Sequence, residues 1–524
     1  MSAAAPATAP AAARAPAADP SRIPNRALAA AVLVISNFMV VLDITIANVS
    51  IPHIAGTMGV SLDQGTWVVT SYAVAEAIAV PLTGWLAMRF GAVRVYVATM
   101  IGFTFFSLIC AMSLTLEMIV AARIGQGICG GLLMPLAQTL LLRIFPPDQI
   151  PKAMLLWTMT ILLGPALGPN LGGIISDNLS WHWIFLINIP IALTCIVLGY
   201  ALLAPAETPT RKVPVDKVGL GLLVFWVGSM QVMLDIGRSH DWFEDPLIVV
   251  LGLCALFGFA AFMIWELTEE HPIVDLRVFR HKGFSFGVAA LSLCFGAYFA
   301  SIVVIPQWLQ AWKGYPATLA GFITGCTALA AITTSRYAAK ALTFADPRLL
   351  VSLAVAWLGC MALVRSNWTT DTDFWHLVEP QLIQGLGMSF FMLPLTTISL
   401  GSVRPEETAS AAGLQNFMRT IFIGISTAIA LSIWDTTQQA AHVEIASKLQ
   451  PGETMARLAE AGFTPDQARR FIARLTEQES VTIAVDYVFL ITAAVFFISA
   501  AVIWLAPRPA KSAVPGGGGG DVPK

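Results

Sequence analysis

Long apolar stretches separated by short polar segments recur along the whole chain. A helix needs about 20 apolar residues to cross the hydrocarbon core of a bilayer, so each stretch of that length predicts a transmembrane helix. The predicted spans are 28–51, 66–88, 95–113, 118–142, 153–176, 183–204, 217–237, 246–267, 284–312, 317–339, 348–364, 375–400, 409–434 and 482–506. The pattern therefore predicts an all-α membrane protein with fourteen transmembrane helices.

An internal repeat divides the chain. Gln-Gly followed by Met-Pro-Leu at 126–136 recurs as Gln-Gly followed by Met-Leu-Pro-Leu at 384–395. Parallel repeats with a binding site at their interface are typical of many secondary transporters. We therefore predict an N-terminal six-helix half at 28–205, two inserted helices with cytoplasmic linkers at 206–283, and a C-terminal six-helix half at 284–506. Residues 1–27, rich in Ala and Pro, and the Gly-rich residues 507–524 are expected to be disordered and cytoplasmic.

Lysine and arginine are concentrated in the loops on one side of the predicted bundle. About twenty lie there or at the chain ends, against three (Arg238, Lys313 and Arg365) in the short loops of the other side, which places both termini in the cytoplasm. The long outer loop 435–481 contains a predicted amphipathic helix that begins at the N-cap Thr464. This helix either packs on the outer surface of the bundle or docks a partner.

Composition supports a polytopic membrane protein and excludes several other classes. Charged residues make up 12% of the chain, against about 25% in soluble domains. The net charge of −2 implies no nucleic-acid partner. The seven cysteines are scattered singly, which predicts neither a metal site nor a disulfide framework. The sequence lacks a P-loop and any nucleophile–base motif. We therefore expect no enzyme activity and no cofactor, and an ion gradient as the source of energy.

Five charged residues lie inside predicted helices: Asp43, Glu76, Arg123, Asp235 and Arg419. An ionisable residue at membrane depth is a functional hypothesis by default. We predict proton coupling through Asp43, tuned by Arg123 with support from Gln126. Asp43 could instead fix helix packing, and Arg123 could be a static ion-pair strut. Glu76 is either a titrating group or a buried neutral carboxyl, and Asp235 could be solvated at the outer interface.

Two glycine-containing motifs suggest mechanical roles. The fifth span carries Gly and Pro at close spacing, which permits close helix approach and predicts a hinge and a tight seal between the halves. Its residues are Gly164, Pro165, Gly168, Pro169, Gly172 and Gly173. The loop after the second span combines a tight turn with positive charge in Gly84, Arg89, Gly91 and Arg94.

At these motifs the sequence resembles the major facilitator superfamily, and within it the fourteen-helix drug:proton antiporters of the EmrB/QacA type. The resemblance rests on 42–52, 84–94, 123–127 and 163–173, and the segments 181–190 and 271–276 look EmrB-like. One departure is Met88, where the family's loop motif usually has Asp. The resemblance implies a multidrug efflux pump of a Gram-negative inner membrane, with an EmrA-type periplasmic adaptor and a TolC-like outer-membrane channel.

An exporter of this kind would bind hydrophobic drugs at the midplane between its halves. Candidate contacts are aromatic or polar residues inside predicted spans: Asn48, Gln138, Trp157, Tyr298, Gln307, Trp308, Phe390, Phe391 and Phe417. An uptake symporter on the same fold is the second hypothesis, since fold alone does not set direction. A non-transporting receptor or scaffold that works through 435–481 is the third, and the buried Asp43 and Arg123 argue against it.

Overall fold

The computed structural model describes residues 23, 25–146, 149–211, 214–270, 272–342, 344–404, 407–448 and 451–508. The expected disorder of 1–27 and 507–524 falls almost wholly outside these residues. Within them the chain is helical and contains no β-strand.

Seventeen α-helices build this part of the chain. They are α1 (Arg26–Met58), α2 (Leu62–Ala79), α3 (Thr83–Phe90), α4 (Ala92–Ala111), α5 (Leu116–Ile144), α6 (Ile150–Asn178), α7 (Trp183–Leu186), α8 (Asn188–Leu203), α9 (Lys217–Ile236), α10 (Pro246–Thr268), α11 (Lys282–Ala311), α12 (Ala317–Ala341), α13 (Pro347–Arg365), α14 (Phe374–Gly401), α15 (Thr408–Lys448), α16 (Pro451–Glu460) and α17 (Pro465–Val502). Short 3-10 turns lie at Val80–Leu82, Ala204–Ala206, Gly237–His240, Trp242–Glu244, Leu276–Arg280 and Ile503–Leu505.

Twelve helical segments of the described chain are long and apolar enough to cross a membrane. They cover every predicted span except 153–176 and 317–339. Those two coincide with α6 and α12, which have 29 and 25 residues and are helical throughout. The count of fourteen spans therefore stays a prediction. The second span is broken at the Val80–Leu82 turn, because Pro81 has no N–H to continue the helical ladder.

Helix packing can be described with the predicted halves and inserted pair, a division that stays a prediction. In the N-terminal half α1 packs on α6 and α2 packs on α5, while in the C-terminal half α11, α13 and α15 pack on α17. Helix α6 also contacts α12 and α14, so it joins the halves. The inserted α9 and α10 pack on each other, and α9 contacts α2 and α15. The inserted pair therefore lies beside the junction of the halves.

The predicted outer loop 435–481 is mostly helical among the described residues, and its position outside the membrane stays a prediction. Helix α15 continues to Lys448, and α17 begins at Pro465 and continues without a break to Val502. The polar segment after Trp434 is rich in helix-forming Ala, Gln and Glu, so the helix outlasts its apolar stretch. Thr464 is the N-cap of α17, as expected, and forms a capping box with Gln467. We call residues 435–481 the hairpin, and the opposite end of the bundle, which holds Arg26 and Ala506, the terminal end.

Candidate functional site

Asp43 lies at the centre of a buried polar cluster in the N-terminal half. Its carboxylate is 2.6 Å from Nη1 of Arg123 and also accepts hydrogen bonds from Gln126 Nε2 at 3.0 Å and Asn188 Nδ2 at 2.7 Å. The side chains of Asp43 and Arg123 are 1% and 0% exposed. Asp43 lies on α1, Arg123 and Gln126 lie on α5, and Asn188 lies on α8. One carboxylate therefore holds three helices together.

Arg123 is surrounded by electron-rich groups. Its Nε donates to the carbonyl of Val68 at 2.9 Å, and Nη1 also donates to Gln126 Oε1 at 2.9 Å. The guanidinium lies 4.2 Å from the centre of the Tyr72 ring. Such cation–π contacts are strongest where water is excluded. The cluster therefore stabilises a guanidinium and a carboxylate together at membrane depth.

The glycines of α6 lie against the part of α1 that carries Asp43. A methyl group on Gly164 would come within 2.8 Å of Val41 Cβ, one on Gly168 within 2.5 Å of Thr45 Cβ, and one on Gly172 within 3.1 Å of the Ile46 carbonyl. Thr45 also donates to the carbonyl of Gly164 at 3.3 Å. The expected close approach is therefore made to α1 inside the N-terminal half.

Other residues of that motif behave differently. A methyl group on Gly173 would have no neighbour within 4 Å. Pro165 and Pro169 lie within α6, whose backbone is helical from Ile150 to Asn178, and their side chains lie outside the described part of the structure.

The loop motif at 84–94 is clamped by the segment that follows α8. Gly91 has φ +94°, a left-handed conformation that favours glycine. The carboxylate of Glu207 accepts the backbone N–H groups of Val93 at 2.9 Å and Arg94 at 3.1 Å, at the start of α4. The family's loop motif usually has a carboxylate at the position of Met88. In this chain the carboxylate of Glu207 contacts the loop.

Two other residues of the loop motif contact neighbouring helices or rings. A methyl group on Gly84 would clash with Ser410 Cα at 2.8 Å, which shows that α3 and α15 meet closely at the terminal end. The guanidinium of Arg89 lies 5.3 Å from the centre of the Trp85 ring.

The halves also meet through polar side chains near mid-bundle. Asn416 of α15 donates to Gln138 of α5 at 2.8 Å, and both side chains are buried. Arg419, one turn further along α15, reaches Met134 Sδ at 3.1 Å. Its guanidinium lies 5.6 Å from the Trp157 ring and 5.4 Å from the Phe295 ring. Glu76 is buried and close enough for its charge to act on Arg419.

The C-terminal half holds a related buried arginine. Arg365, expected in a short outer loop, is fully buried at the end of α13. It hydrogen-bonds Gln384, and its Nη1 is 3.3 Å from Gln381 Oε1. Its guanidinium lies 5.2 Å from the Phe489 ring. Within the described residues no carboxylate lies within 4.0 Å of it, whereas Arg123 has Asp43.

Several predicted drug contacts do not lie at the junction of the halves. Trp308 is buried inside the C-terminal half and stacks on Trp368 at 5.6 Å, and the neighbouring Gln307 is exposed. By contrast, Phe417 packs against Trp226 of the inserted pair, with ring centres 6.0 Å apart, and its buried cluster includes Ala77 of the N-terminal half, so it lies where the halves meet. Asn48 is exposed and donates to its own helix at Ile44. A one-residue step along a helix turns the side chain by about 100°, so sequence position alone could not choose the inward face.

The other predicted residues have mixed positions. Trp157 and Gln138 contact the junction, as described above. Phe391 is buried 6.2 Å from the Phe295 ring, Tyr298 is buried on α11, and Phe390 is partly buried. Asp235 lies on α9 of the inserted pair, is exposed, and accepts a hydrogen bond from Gln231 at 3.3 Å.

Sequence reasoning missed five residues that the structure places in or beside these clusters. They are Ser107, Asn188, Phe295, Arg365 and Asn416. Ser107 accepts a hydrogen bond from Asn188 Nδ2 at 3.3 Å. Asn188 is a polar residue inside a predicted apolar span, and that signal could have identified it. Arg365 ended its span and was therefore interpreted as interfacial.

The fold and these buried charges are those of a polytopic membrane transporter, and comparisons with known proteins show to which family it belongs. The Major Facilitator Superfamily profile matches residues 33–427. The chain belongs to this superfamily and, within it, to the EmrB-type transporters, as the resemblance predicted.

Several curated relatives match nearly the whole chain, and two of them serve as examples. Multidrug export protein EmrB of Escherichia coli strain K12 is 39% identical over 494 residues, which cover 93% of this chain and 96% of EmrB. Fatty acid resistance protein FarB of Neisseria gonorrhoeae is 37% identical over 487 residues, with 92% and 96% coverage.

The solved human organic anion transporter MFSD10 shares the fold. Its TM-score is 0.56 at 13% identity, and the match covers 90% of this chain and all of that one.

Proposed function

We propose that this protein is a proton-coupled multidrug exporter that works by alternating access. The export of many drugs is carried over from relatives named for multidrug export at 39% identity. The observation that carries proton coupling is the arrangement of donors around Asp43. Its ionised form pairs with Arg123 at 2.6 Å, and its protonated form has no charge with which to hold that partner. Proton uptake would therefore release α1 from α5.

Movement of α1 would be passed to α6. Close packing of Gly164, Gly168 and Gly172 against α1 leaves no space for one helix to shift without the other. Because α6 also contacts α12 and α14, such a shift would reach the C-terminal half. Protonation of Asp43 would thus change the junction at which a drug binds.

The same junction supplies a gate at the terminal end. Gly84 meets Ser410 there. A methyl group added at Gly413 would lie 3.4 Å from the Val80 carbonyl oxygen. Gln138 and Asn416 bridge the halves one layer deeper. These contacts would separate when the drug site opens toward the cytoplasm and would re-form when it opens outward.

The membrane arrangement follows from charge and length. We propose fourteen transmembrane helices, with α6 and α12 added to the twelve apolar segments, as six plus two plus six. Both termini face the cytoplasm, and the hairpin projects from the outer face of the inner membrane. One proton moving inward through about 100 mV releases about 2.3 kcal/mol, and each pH unit adds about 1.36 kcal/mol.

The hairpin is the surface for an EmrA-type periplasmic adaptor in a tripartite system that ends in a TolC-like channel. Three contacts hold its base firmly. Gln438 donates to Glu477 at 2.8 Å, Thr370 donates to Glu479 at 2.7 Å, and Arg238 makes two bonds to Asp435 at 2.5 and 2.8 Å. At its tip Phe463 and Phe471 remain 36% and 41% exposed. A hairpin whose base is fixed by hydrogen bonds and whose tip has partly exposed apolar side chains is suited to docking a partner.

The test is pH-gradient-driven movement of pyrenebutyramide, whose charge does not change with pH, in vesicles containing the purified transporter. Antiport drives the compound into the acidic compartment, and a symporter drives it out. We expect accumulation in the acidic compartment by the wild type and none by Asp43→Asn. Asp371→Asn removes an equal charge from an exposed position and is the matched control. Equal transport by Asp43→Asn and the control would show that coupling does not use Asp43.

A further inference from the structure

Arg365 is a buried cation inside the C-terminal half. It is 0% exposed, and its helix α13 packs on α14 and α17 of the same half. The guanidinium lies 5.2 Å from the Phe489 ring of α17. Among the described residues the Tyr298 phenol is the titratable group that acts on its charge, and no carboxylate oxygen lies within 4.0 Å. Protein therefore encloses a full positive charge without a compensating negative one, which is a costly arrangement.

Four buried nitrogen donors at this point have no acceptor among the described residues. They are Nε and Nη2 of Arg365 and the amide nitrogens of Gln381 and Gln384. The oxygens of both amides already accept from Nη1 of the arginine, at 3.3 Å in the case of Gln381. An amide nitrogen shares its carbon with the amide oxygen, so both unpaired NH₂ groups lie beside the guanidinium. Buried donors are nearly always paired in folded proteins. The cluster is therefore rich in donors and lacks an acceptor.

The N-terminal half shows which group completes a cluster of this kind. There Arg123 Nη1 donates to Gln126 Oε1 at 2.9 Å, and Nη1 and Gln126 Nε2 both donate to the Asp43 carboxylate, at 2.6 and 3.0 Å. Gln384 is the repeat counterpart of Gln126, and its Oε1 accepts from Arg365 Nη1 in the same way. The bond between arginine and glutamine is thus repeated in the C-terminal half, whereas the carboxylate that neutralises the arginine is not repeated among the described residues.

We propose that a small inorganic anion such as chloride binds beside Arg365 and takes the place that the Asp43 carboxylate has in the N-terminal half. Chloride accepts N–H groups from any direction, which suits donors that come from two helices, α13 and α14. Because Arg365 is wholly enclosed, the site admits an ion and not a bulky organic acid. Unlike Asp43, chloride does not take up a proton, so this cluster ties α13 to α14 at any pH. The anion site does not depend on the proposed export function.

The test is thermal unfolding of the purified full-length transporter in sodium chloride and in sodium gluconate at equal ionic strength. An ion that binds only the folded protein stabilises it, increasingly so at higher ion concentration. We expect the unfolding midpoint of the wild type to be about 1–3 °C higher in chloride, and this difference to be absent from Arg365→Gln. Arg508→Gln, at an 83% exposed side chain, is the matched control and should keep the difference. Equal midpoints of the wild type in the two salts would overturn the inference, as would an unchanged difference in Arg365→Gln.

A second variant covers the case in which Arg365→Gln does not fold. Gln384→Glu places a carboxylate against Arg365 Nη1, where the amide oxygen now accepts a hydrogen bond. Because this variant carries its own anion, it should be as stable in gluconate as the wild type is in chloride, and chloride should not stabilise it further. A chloride effect of wild-type size in Gln384→Glu would contradict the proposed site.

Bromide locates the ion directly, because it substitutes for chloride and scatters X-rays anomalously. Crystals of the wild type grown in bromide should give an anomalous peak beside Arg365, and crystals of Gln384→Glu should lack that peak. Anomalous peaks at other positions alone would show that the halide stabilises the protein from elsewhere, and the assignment to Arg365 would fail.

Discussion

The pair formed by Asp43 and Arg123 gives the sharpest prediction, because its stabilising and coupling roles can be measured separately. Asp43→Asn keeps the shape of the side chain but removes the charge 2.6 Å from the Arg123 guanidinium. It also places an N–H₂ group among side chains that currently donate to the carboxylate. The buried arginine then keeps only neutral oxygen acceptors, which are the Val68 carbonyl, Gln126 and the amide oxygen at position 43.

The magnitude follows from the burial of the pair. Removing one partner of a buried ion pair costs about 3–5 kcal/mol, because the other charge stays behind without compensation. Removing both partners avoids that uncompensated charge. We therefore expect Asp43→Asn and Arg123→Gln each to lower stability strongly, and the double variant to lose less than the sum, with a coupling energy of about 1–3 kcal/mol.

The assay is thermal unfolding of the four purified proteins in detergent, combined with pH-gradient transport in vesicles. The double variant should regain stability without regaining transport, since no titratable carboxylate remains at the centre of the cluster. Strictly additive losses of stability would refute the reasoning about burial. A double variant that transports at the wild-type rate would refute the assignment of coupling to Asp43.

Three further predictions concern packing and the terminal end. Gly168→Ala should lower thermal stability and transport, because its methyl group would collide with Thr45, at an overpacking cost of about 1–3 kcal/mol. Gly173→Ala is the control and should be tolerated, because an added methyl there has no atom within 4 Å. Equal stability of the two variants would contradict this prediction. Gly91→Ala should be destabilising, since φ is +94° and its methyl would lie 2.5 Å from a Glu207 oxygen, and melting curves beside Gly401→Ala, which meets no atom within 4 Å, would show it. Burial opposes ionisation of Glu407, but hydrogen bonds from His281 and the Arg404 amide and the charge of Arg280 lower its pKa below the ordinary 4.5. Its stabilising effect is therefore complete above the unfolded pKa and is lost as pH falls through the folded one, so Glu407→Gln should lose less stability than wild type on acidification, and identical pH profiles would refute this.

The positions of the long apolar helices along the chain could be predicted largely from sequence, because apolar length is a local property. At 435–481 the sequence predicted a single amphipathic helix, and the helices of the structure extend further, because helix formation outlasts hydrophobicity. Hydropathy reports where a helix leaves the apolar region and says nothing about where its hydrogen-bond ladder ends. The polar residues after Trp434 favour helix, and nothing before Pro451 and Gly452 interrupts them.

The sequence by itself determined the family and identified Asp43 and Arg123 as candidate functional residues, because a charge inside an apolar span is costly wherever it lies. Only the tertiary structure decided that these two residues pair with each other and that Asn188, far along the chain, completes the cluster. It also placed Trp308 inside one half and brought Arg419 to the junction of both. Which residues pair with each other, and which way a side chain faces, depend on contacts between helices that are distant in sequence. Hydropathy and spacing carry no information about these contacts.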